Sequence, residues 1–226
     1  MSYNTFAKFY DTLTENVEYK KRVDYISSFF KRYADKCDTV LDLACGTGSV
    51  SKYLSDLGYN VIGVDLSDEM LTVASSKQIK NTMFIKGDMT DFELSHKVDC
   101  CVCSLDSINH LKDIVEVKKC FDCVYNSLND GGVFVFDVNT VYKHKNVLGN
   151  NTFVFDEEDF FLSWDNEYLG DNTVRILLDF FVYNGKNYDR FSEEFNEKAY
   201  SVNELKSVLN NFNIIGIYDE LNLDDI

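Results

Sequence analysis

Between Thr39 and Asn139 the chain repeats a short, continuously apolar run, in most cases followed by a stretch whose apolar residues recur at helical spacing. The runs are TVLDLA, NVIGVD, MFIKGD, VDCCVCS and GGVFVFDVN. The helical stretches are GSVSKYLSDLG, ending on Gly58, then SDEMLTVASSK, opened by Ser67 with Asp68 and Glu69 in its first turn, and a segment from about Leu111 to Leu128. A strand that is apolar throughout is buried on both faces, and helices linking such strands are what cover those faces. The pattern therefore predicts an α/β fold built on a doubly wound, mostly parallel sheet.

The flanking sequence obeys other rules. Residues 3–34 place Phe6, Phe9, Tyr10 and Leu13, then Tyr19, Val23, Ile26, Phe29 and Phe30, at the spacing of two N-terminal helices. After Asn139, FFLSWDNEYL, NTVRILLDFFVY and YDRFSEEFNEKAY read as strands, the last two joined by the hairpin signal Asn184-Gly185. SVNELKSVLNNF then reads as a helix opened by a Ser201/Glu204 capping box, and NIIGIYDEL as a final strand. The expectation is one domain formed by residues 1–139 and 199–226, interrupted by an antiparallel β insert at 140–198.

Composition narrows the partners. The net charge is −16, and residues 151–226 carry 5 basic against 17 acidic residues. Such a chain repels phosphate backbones, which disfavours nucleic acid, and the acid reads as the solvated surface of the insert. No apolar run approaches the roughly eighteen residues that span a bilayer, and MSYNTFAKFYDTL lacks the features of a secretory signal. A cytoplasmic protein without membrane contact, monomeric or homodimeric, is expected. Of the seven cysteines, those in VDCCVCS point to alternate faces of a strand, and Cys120 and Cys123 fall within a helix, so they read as small apolar residues and no metal is expected. The absence of proline excludes the Asn/Asp-Pro-Pro-aromatic and Pro-Cys motifs of nucleobase and amide methylation.

In a doubly wound sheet ligands sit at the carboxyl ends of the strands, beside the first one. The turn ACGTG lies there, and Gly46 and Gly48 let backbone approach a ligand closely. A dinucleotide fingerprint calls for Gly or Ala at position 51, which is Ser. Asp65, ending the second strand, is placed to accept from both hydroxyls of a ribose, which NAD and S-adenosylmethionine share. Asp42, four residues before Gly46, opposes a pyrophosphate and suits the ammonium of a methionine moiety. Asp88 at the third strand end suits an adenine amino group, with Leu66, Met70 and Met89 as apolar walls.

These segments, LDLACGTG, VDLSDEML, GDM, CSLDSINHL and LNDGGVFVFDVN, with YNTFAKFYDTLT before them, resemble the class I S-adenosylmethionine-dependent methyltransferases. Within that family the chain is similar to the small-molecule subgroup of glycine and sarcosine N-methyltransferases and the N,N-dimethyltransferases of nucleotide-linked amino sugars. The resemblance implies a Rossmann-like methyltransferase fold, an antiparallel insert roofing the active site, and methyl transfer to a small acceptor, in particular an amine. It implies that Tyr3, Tyr10 and Tyr19 line the pocket, that Ala44 and Gly46 contact the methionine part, Asp65 and Leu66 the ribose, Asp88 and Met89 the adenine, and that Leu105 lies near the sulfonium. Arg22 stands where the subgroup often has Trp and reads as a partner of the cofactor carboxylate or as a surface residue. The subgroup's further antiparallel strand is not supplied after Leu223, so either the sequence stops short of it or the sheet edge is open.

Methyl transfer from a sulfonium is an in-line displacement in which alignment supplies on the order of 7–11 kcal/mol. His110, just past the fourth strand, has the chemistry of a base for an acceptor that must lose a proton, and Tyr10 that of a hydrogen-bonding partner. His96 and His144 lie in polar loops and read as surface residues. The aromatic residues Phe160, Phe161, Trp164, Phe180, Phe181 and Tyr183 read mainly as the core of the insert. The competing readings are a nicotinamide-dependent oxidoreductase and a non-catalytic S-adenosylmethionine-binding module.

Overall fold

A computed structural model describes residues 4–219. Two helices lead, α1 (Asn4–Leu13) and α2 (Tyr19–Tyr33). The repeating unit then gives β1 (Thr39–Leu43), α3 (Ser49–Asp56), β2 (Asn60–Asp65), α4 (Asp68–Ser76), β3 (Thr82–Lys86), β4 (Val98–Cys103), a 3-10 turn at Ser107–His110, α5 (Ile114–Ser127) and β5 (Leu128–Phe136). These strands form a parallel sheet in the order β3-β2-β1-β4-β5. Chain order reverses between β1 and β4, and a crevice opens there at the carboxyl ends.

Local chemistry fixes the helix starts. Ser67 Oγ accepts from Met70 N at 3.1 Å to begin α4, and Asp113 Oδ1 accepts from Val115 N and Glu116 N at 3.0 and 2.9 Å to begin α5. The Asp113 cap is why α5 starts at Ile114 rather than near Leu111. Both faces of the sheet are buried. Leu41, Leu43, Cys101 and Cys103 pack with Phe121 and Val124 on one side, while Val40, Cys100 and Val102 pack with Phe30 and Leu54 on the other. The strand cysteines are thus core residues, divided between faces by the two-residue period of β4.

The second sheet is an antiparallel meander of β6 (Thr152–Asp156), β7 (Phe160–Gly170), β8 (Thr173–Tyr183) and β9 (Tyr188–Lys198), preceded by a π-helical segment at Lys143–Leu148. The β7–β8 hairpin turns through Asp171 and Asn172, both at positive φ (48° and 58°), the type I′ signature. Its core, Phe160, Leu162, Ile176, Leu178 and Phe180, is completed by Phe6, Phe9 and Leu13 of α1. The helix α1 therefore packs on the insert, with Phe9 4.6 Å from Phe160 and 6.0 Å from Phe180 between ring centroids.

Three features depart from the sequence reading. The strand β6 and the π-helical segment were not anticipated, and the expected final strand NIIGIYDEL does not form over its described part, since residues 213–218 have no strand structure. An apolar run becomes a strand only where a sheet edge receives it. This one follows α6 (Val202–Val208), leaves Ile214, Ile215 and Ile217 exposed, and is held instead by the Tyr218 ring, 5.1 Å from Phe29. The capping box of α6 forms as expected between Ser201 and Glu204. Among the described residues no helix is long and apolar enough to cross a membrane.

Candidate active site

The turn after β1 runs through left-handed backbone at Ala44 (φ 57°), Gly46 (φ 53°) and Gly48 (φ 78°). The two glycines serve different ends. A Cβ at Gly46 would meet nothing within 4 Å, so this backbone borders open space, whereas one at Gly48 would lie 2.8 Å from the Phe84 ring and 3.3 Å from Ala74. Close packing of the turn on β3 and α4 therefore sets the need for glycine at position 48. Asp65 holds the turn in place, since Oδ2 accepts from Gly46 N at 2.8 Å and Oδ1 accepts from Ser67 N at 2.9 Å. Each oxygen keeps a second lone pair. Burial raises the Asp65 pKa, opposed by those N–H groups and by His110.

Asp42 is 2% exposed and accepts from Ser51 Oγ, so the residue that departs from the dinucleotide fingerprint is the partner of this carboxyl. Burial pushes the Asp42 pKa up to about 7. Asp42, Ala44, Gly46, Leu105, Tyr10 and Tyr19 line one small cavity. The Tyr19 hydroxyl is buried there without a hydrogen-bond partner, and burial raises the pKa of both tyrosines. Tyr3 lies outside the described residues.

At the third strand end Asp88 is exposed, and its Oδ1 accepts from both Thr90 N and Thr90 Oγ1 at 2.8 Å. That oxygen thus orders the turn. Leu66 is 64% exposed beside this strand end, Met89 is partly buried against the core, and Met70 is buried within α4.

Side chains from distant parts of the chain complete the crevice. Asp11 of α1 accepts at Oδ1 from Thr47 Oγ1 (2.6 Å) and Ser49 Oγ (3.2 Å), and its Oδ2 meets Lys77 Nζ at 2.7 Å. This clasp fastens α1 to the glycine turn and α4. Arg22 is neither a surface residue nor free, because Nη1 donates to Asp137 Oδ2 at 2.7 Å. Asp137 also accepts from Ser104 Oγ, Leu105 N and Asp106 N at 3.0, 3.1 and 2.6 Å, and so shapes the loop after β4, where Leu105 and Asp106 adopt φ of 58° and 52°. Asp11 and Asp137 were missed in the sequence, although Asp137 follows the fifth strand as Asp65 ends the second.

His110 ends the 3-10 turn, with its ring 5.3 Å from that of Phe195 on β9 and Nε2 3.8 Å from Glu197 Oε1. The His110 side chain is 47% exposed, and the protein around its remainder lowers its pKa below the ordinary 6.5, against Asp106 and Asp65, which raise it. Asn109 locks this turn to both ends of the insert, since Nδ2 donates to Asn139 O and Lys198 O while Oδ1 accepts from Asn139 N at 2.7 Å. Glu193, Phe195 and Glu197 share one face of β9, and burial pushes the glutamates up to about 7 and about 8. His96 is exposed as expected, but His144 is fully buried (0%), because the π-helical segment turns it under the second sheet to meet the Asn172 carbonyl. Among the described residues no group of His, Cys, Asp and Glu is arranged to hold a metal ion.

Residues 40–132 match the methyltransferase domain family. Over 216 residues the chain is 33% identical to "Putative methyltransferase YqeM" of Bacillus subtilis (strain 168), covering 93% of this chain and 85% of that protein. The crystal structure of an S-adenosylmethionine-dependent methyltransferase from Clostridium acetobutylicum ATCC 824 superposes with a TM-score of 0.81 at 39% identity, covering 92% of this chain and 85% of the other. The dTDP-3-amino-3,6-dideoxy-alpha-D-glucopyranose N,N-dimethyltransferase of Streptomyces fradiae is 30% identical over 132 residues, 57% of this chain and 51% of that enzyme.

Proposed function

The chain belongs to the S-adenosylmethionine-dependent methyltransferases, and from that premise we propose that it methylates the amino nitrogen of a small acceptor by in-line displacement, with His110 as the base. S-adenosylmethionine supplies a methyl group bonded to a sulfonium and therefore open to attack by a nucleophile. The residues suit that cofactor: open space borders the Gly46 backbone, Asp65 keeps an unused lone pair on each oxygen, and the buried Tyr19 hydroxyl lacks a partner. In this reading Ala44, Gly46, Tyr10, Tyr19 and Leu105 border the methionine part, Asp65 and Leu66 the ribose, and Asp88 and Met89 the adenine. Asp42 contributes charge near the ammonium, while Gly48 and Met70 act by packing the turn and α4. The 140–198 segment covers the acceptor.

The observation that carries the amine assignment is the neighbourhood of His110. Burial lowers the pKa of the ring, which stands against Phe195, within electrostatic reach of Asp65 and Asp106. A protonated amine is drawn to such acidic and aromatic surroundings and there loses a proton to the imidazole. Catalysis by the chain is then alignment of the freed nitrogen together with removal of its proton. The amino-sugar N,N-dimethyltransferase relative supports an amine acceptor. The test is a screen of small primary and secondary amines, alcohols and thiols for release of S-adenosylhomocysteine. Turnover confined to alcohols or thiols would overturn the amine reading.

A further inference from the structure

His144 and Glu197 are buried behind His110, and the reaction as described uses neither. His144 Nδ1 lies 3.1 Å from the Asn172 carbonyl, and since a carbonyl only accepts, Nδ1 carries a proton. A neutral ring then presents a bare lone pair at Nε2. That atom faces Glu197 Oε2 at 3.6 Å, and neither atom has a hydrogen-bond partner. Two lone pairs opposed in a water-poor interior repel, whereas a proton between them makes the pair attractive. The second carboxyl oxygen, Oε1, lies 3.8 Å from His110 Nε2. Both separations exceed the usual hydrogen-bond range by about half an ångström, so side-chain rotation is needed to close each contact.

We propose that Glu197 is a positioning residue of the methyl-transfer site: protonated on the oxygen facing His144, it accepts through its other oxygen from His110 Nε2–H and so leaves His110 Nδ1 bare for the acceptor's proton. The inference rests on the reading of His110 as the base. The charged groups around this row are Asp65 and Asp106 at the strand ends and Lys143 of the π-helical segment, with Asn139 beside Glu197. Burial, and after it Asp106, disfavour a negative charge at Glu197 and outweigh Lys143 and Asn139, which favour it, in keeping with a carboxyl that stays protonated. When His110 acts, the acceptor N–H bond breaks, its electron pair stays on nitrogen, and a proton joins Nδ1. The Glu197 proton can then pass to His144 Nε2, which leaves a carboxylate against the new imidazolium with no change in total charge.

Glutamine has the hydrogen-bonding pattern of a protonated glutamate, with a donor on one side and an acceptor on the other. Nitrogen-15 NMR of the ligand-free protein at neutral pH should show His110 as the Nε2–H tautomer and His144 as neutral Nδ1–H, and both should persist in Glu197→Gln. In Glu197→Ala the preference of His110 should be lost, and turnover should lie about tenfold or more below that of Glu197→Gln, a part of the 10²–10⁴-fold available to a well-placed base. An Nδ1–H tautomer of His110, a cationic His144, or loss of the tautomer in Glu197→Gln overturns the proposal, and each is readable even if Glu197→Ala does not fold. Failure of the amine reading would appear in turnover alone and leave the tautomers as stated.

Discussion

Arg22 of α2 and Asp137, the residue following β5, meet at 2.7 Å across 115 positions of sequence. The pair matters because Asp137 is also the acceptor for two backbone N–H groups of the loop after β4. An Asp137→Ala change strands those donors in a part-buried setting, at a cost of about 1–3 kcal/mol. Urea unfolding should show that loss. Arg22→Ala, which leaves the loop donors satisfied, should cost less, and equal costs would mean that the ion pair rather than the loop dominates.

Asp65 offers a more direct test of the cofactor assignment. Replacement by Ala removes the proposed ribose acceptors together with the anchor of Gly46 N, and a hydrogen bond to a charged group is worth roughly 1.5–3 kcal/mol. Calorimetric affinity for S-adenosylmethionine should drop at least about tenfold. Unchanged binding would remove Asp65 from the site.

The base role of His110 predicts a kinetic pattern. His110→Ala should lower turnover about 10²-fold or more while cofactor affinity stays nearly intact. A base works unprotonated, so wild-type turnover should rise with pH through the His110 pKa and level off above it. Burial lowers that pKa, so the limb should fall below the ordinary 6.5. A mutant that keeps the same limb would exclude His110 as its source.

Stability should also depend on pH. Asp42, Glu193 and Glu197 have folded pKa values raised to about 7, 7 and 8, so the folded state holds protons that the unfolded chain has already released. Their contribution is complete at low pH and is lost as pH rises through the folded values. The two histidines with lowered pKa act in the opposite sense, but near and below 6.5. Between pH about 7 and 8.5 the ligand-free protein should lose stability on the order of 1–2 kcal/mol, and Asp42→Asn should flatten the slope. Rising stability over that window would contradict the assignment.

The Asp11 clasp predicts a local effect. Asp11→Ala frees Thr47, Ser49 and Lys77 without touching the core of either sheet. Amide exchange should speed up in α1 and the glycine turn and stay unchanged in β7 and β8. Uniform acceleration would mean that the clasp supports the whole fold.

How much of this was legible in sequence follows from how local each signal is. The parallel sheet was readable because the runs around Leu41, Val64 and Val102 are apolar on both faces, and the α4 and α6 starts because Ser67 and Ser201 act on backbone within a few residues. The positions of Asp65 and His110 followed from strand ends. His144 was misread because its sequence neighbours are polar, while its burial is imposed by a sheet that begins later in the chain. Glu197 sits in a strand whose acidity reads as solvation. The two-residue spacing of Glu193, Phe195 and Glu197 puts them on one face, but only the docking of β9 against the 3-10 turn shows that this face is inward. NIIGIY carried the apolar signal of a strand without the partner edge that no local pattern can reveal.

The helix α1 is fastened at two places, to the glycine turn through Asp11 and to the second sheet through Phe6 and Phe9, with Phe6 N donating to Glu193 Oε1. A ligand pressing on the glycine turn and one pressing on the inner face of β9 therefore work against the same ten-residue rod. Thermodynamic linkage makes such an arrangement symmetrical: whatever factor cofactor imposes on the dissociation constant of acceptor, acceptor imposes on that of cofactor. Any cooperativity between the two substrates would therefore depend on how one short helix is attached, and weakening either attachment should bring both factors toward unity together.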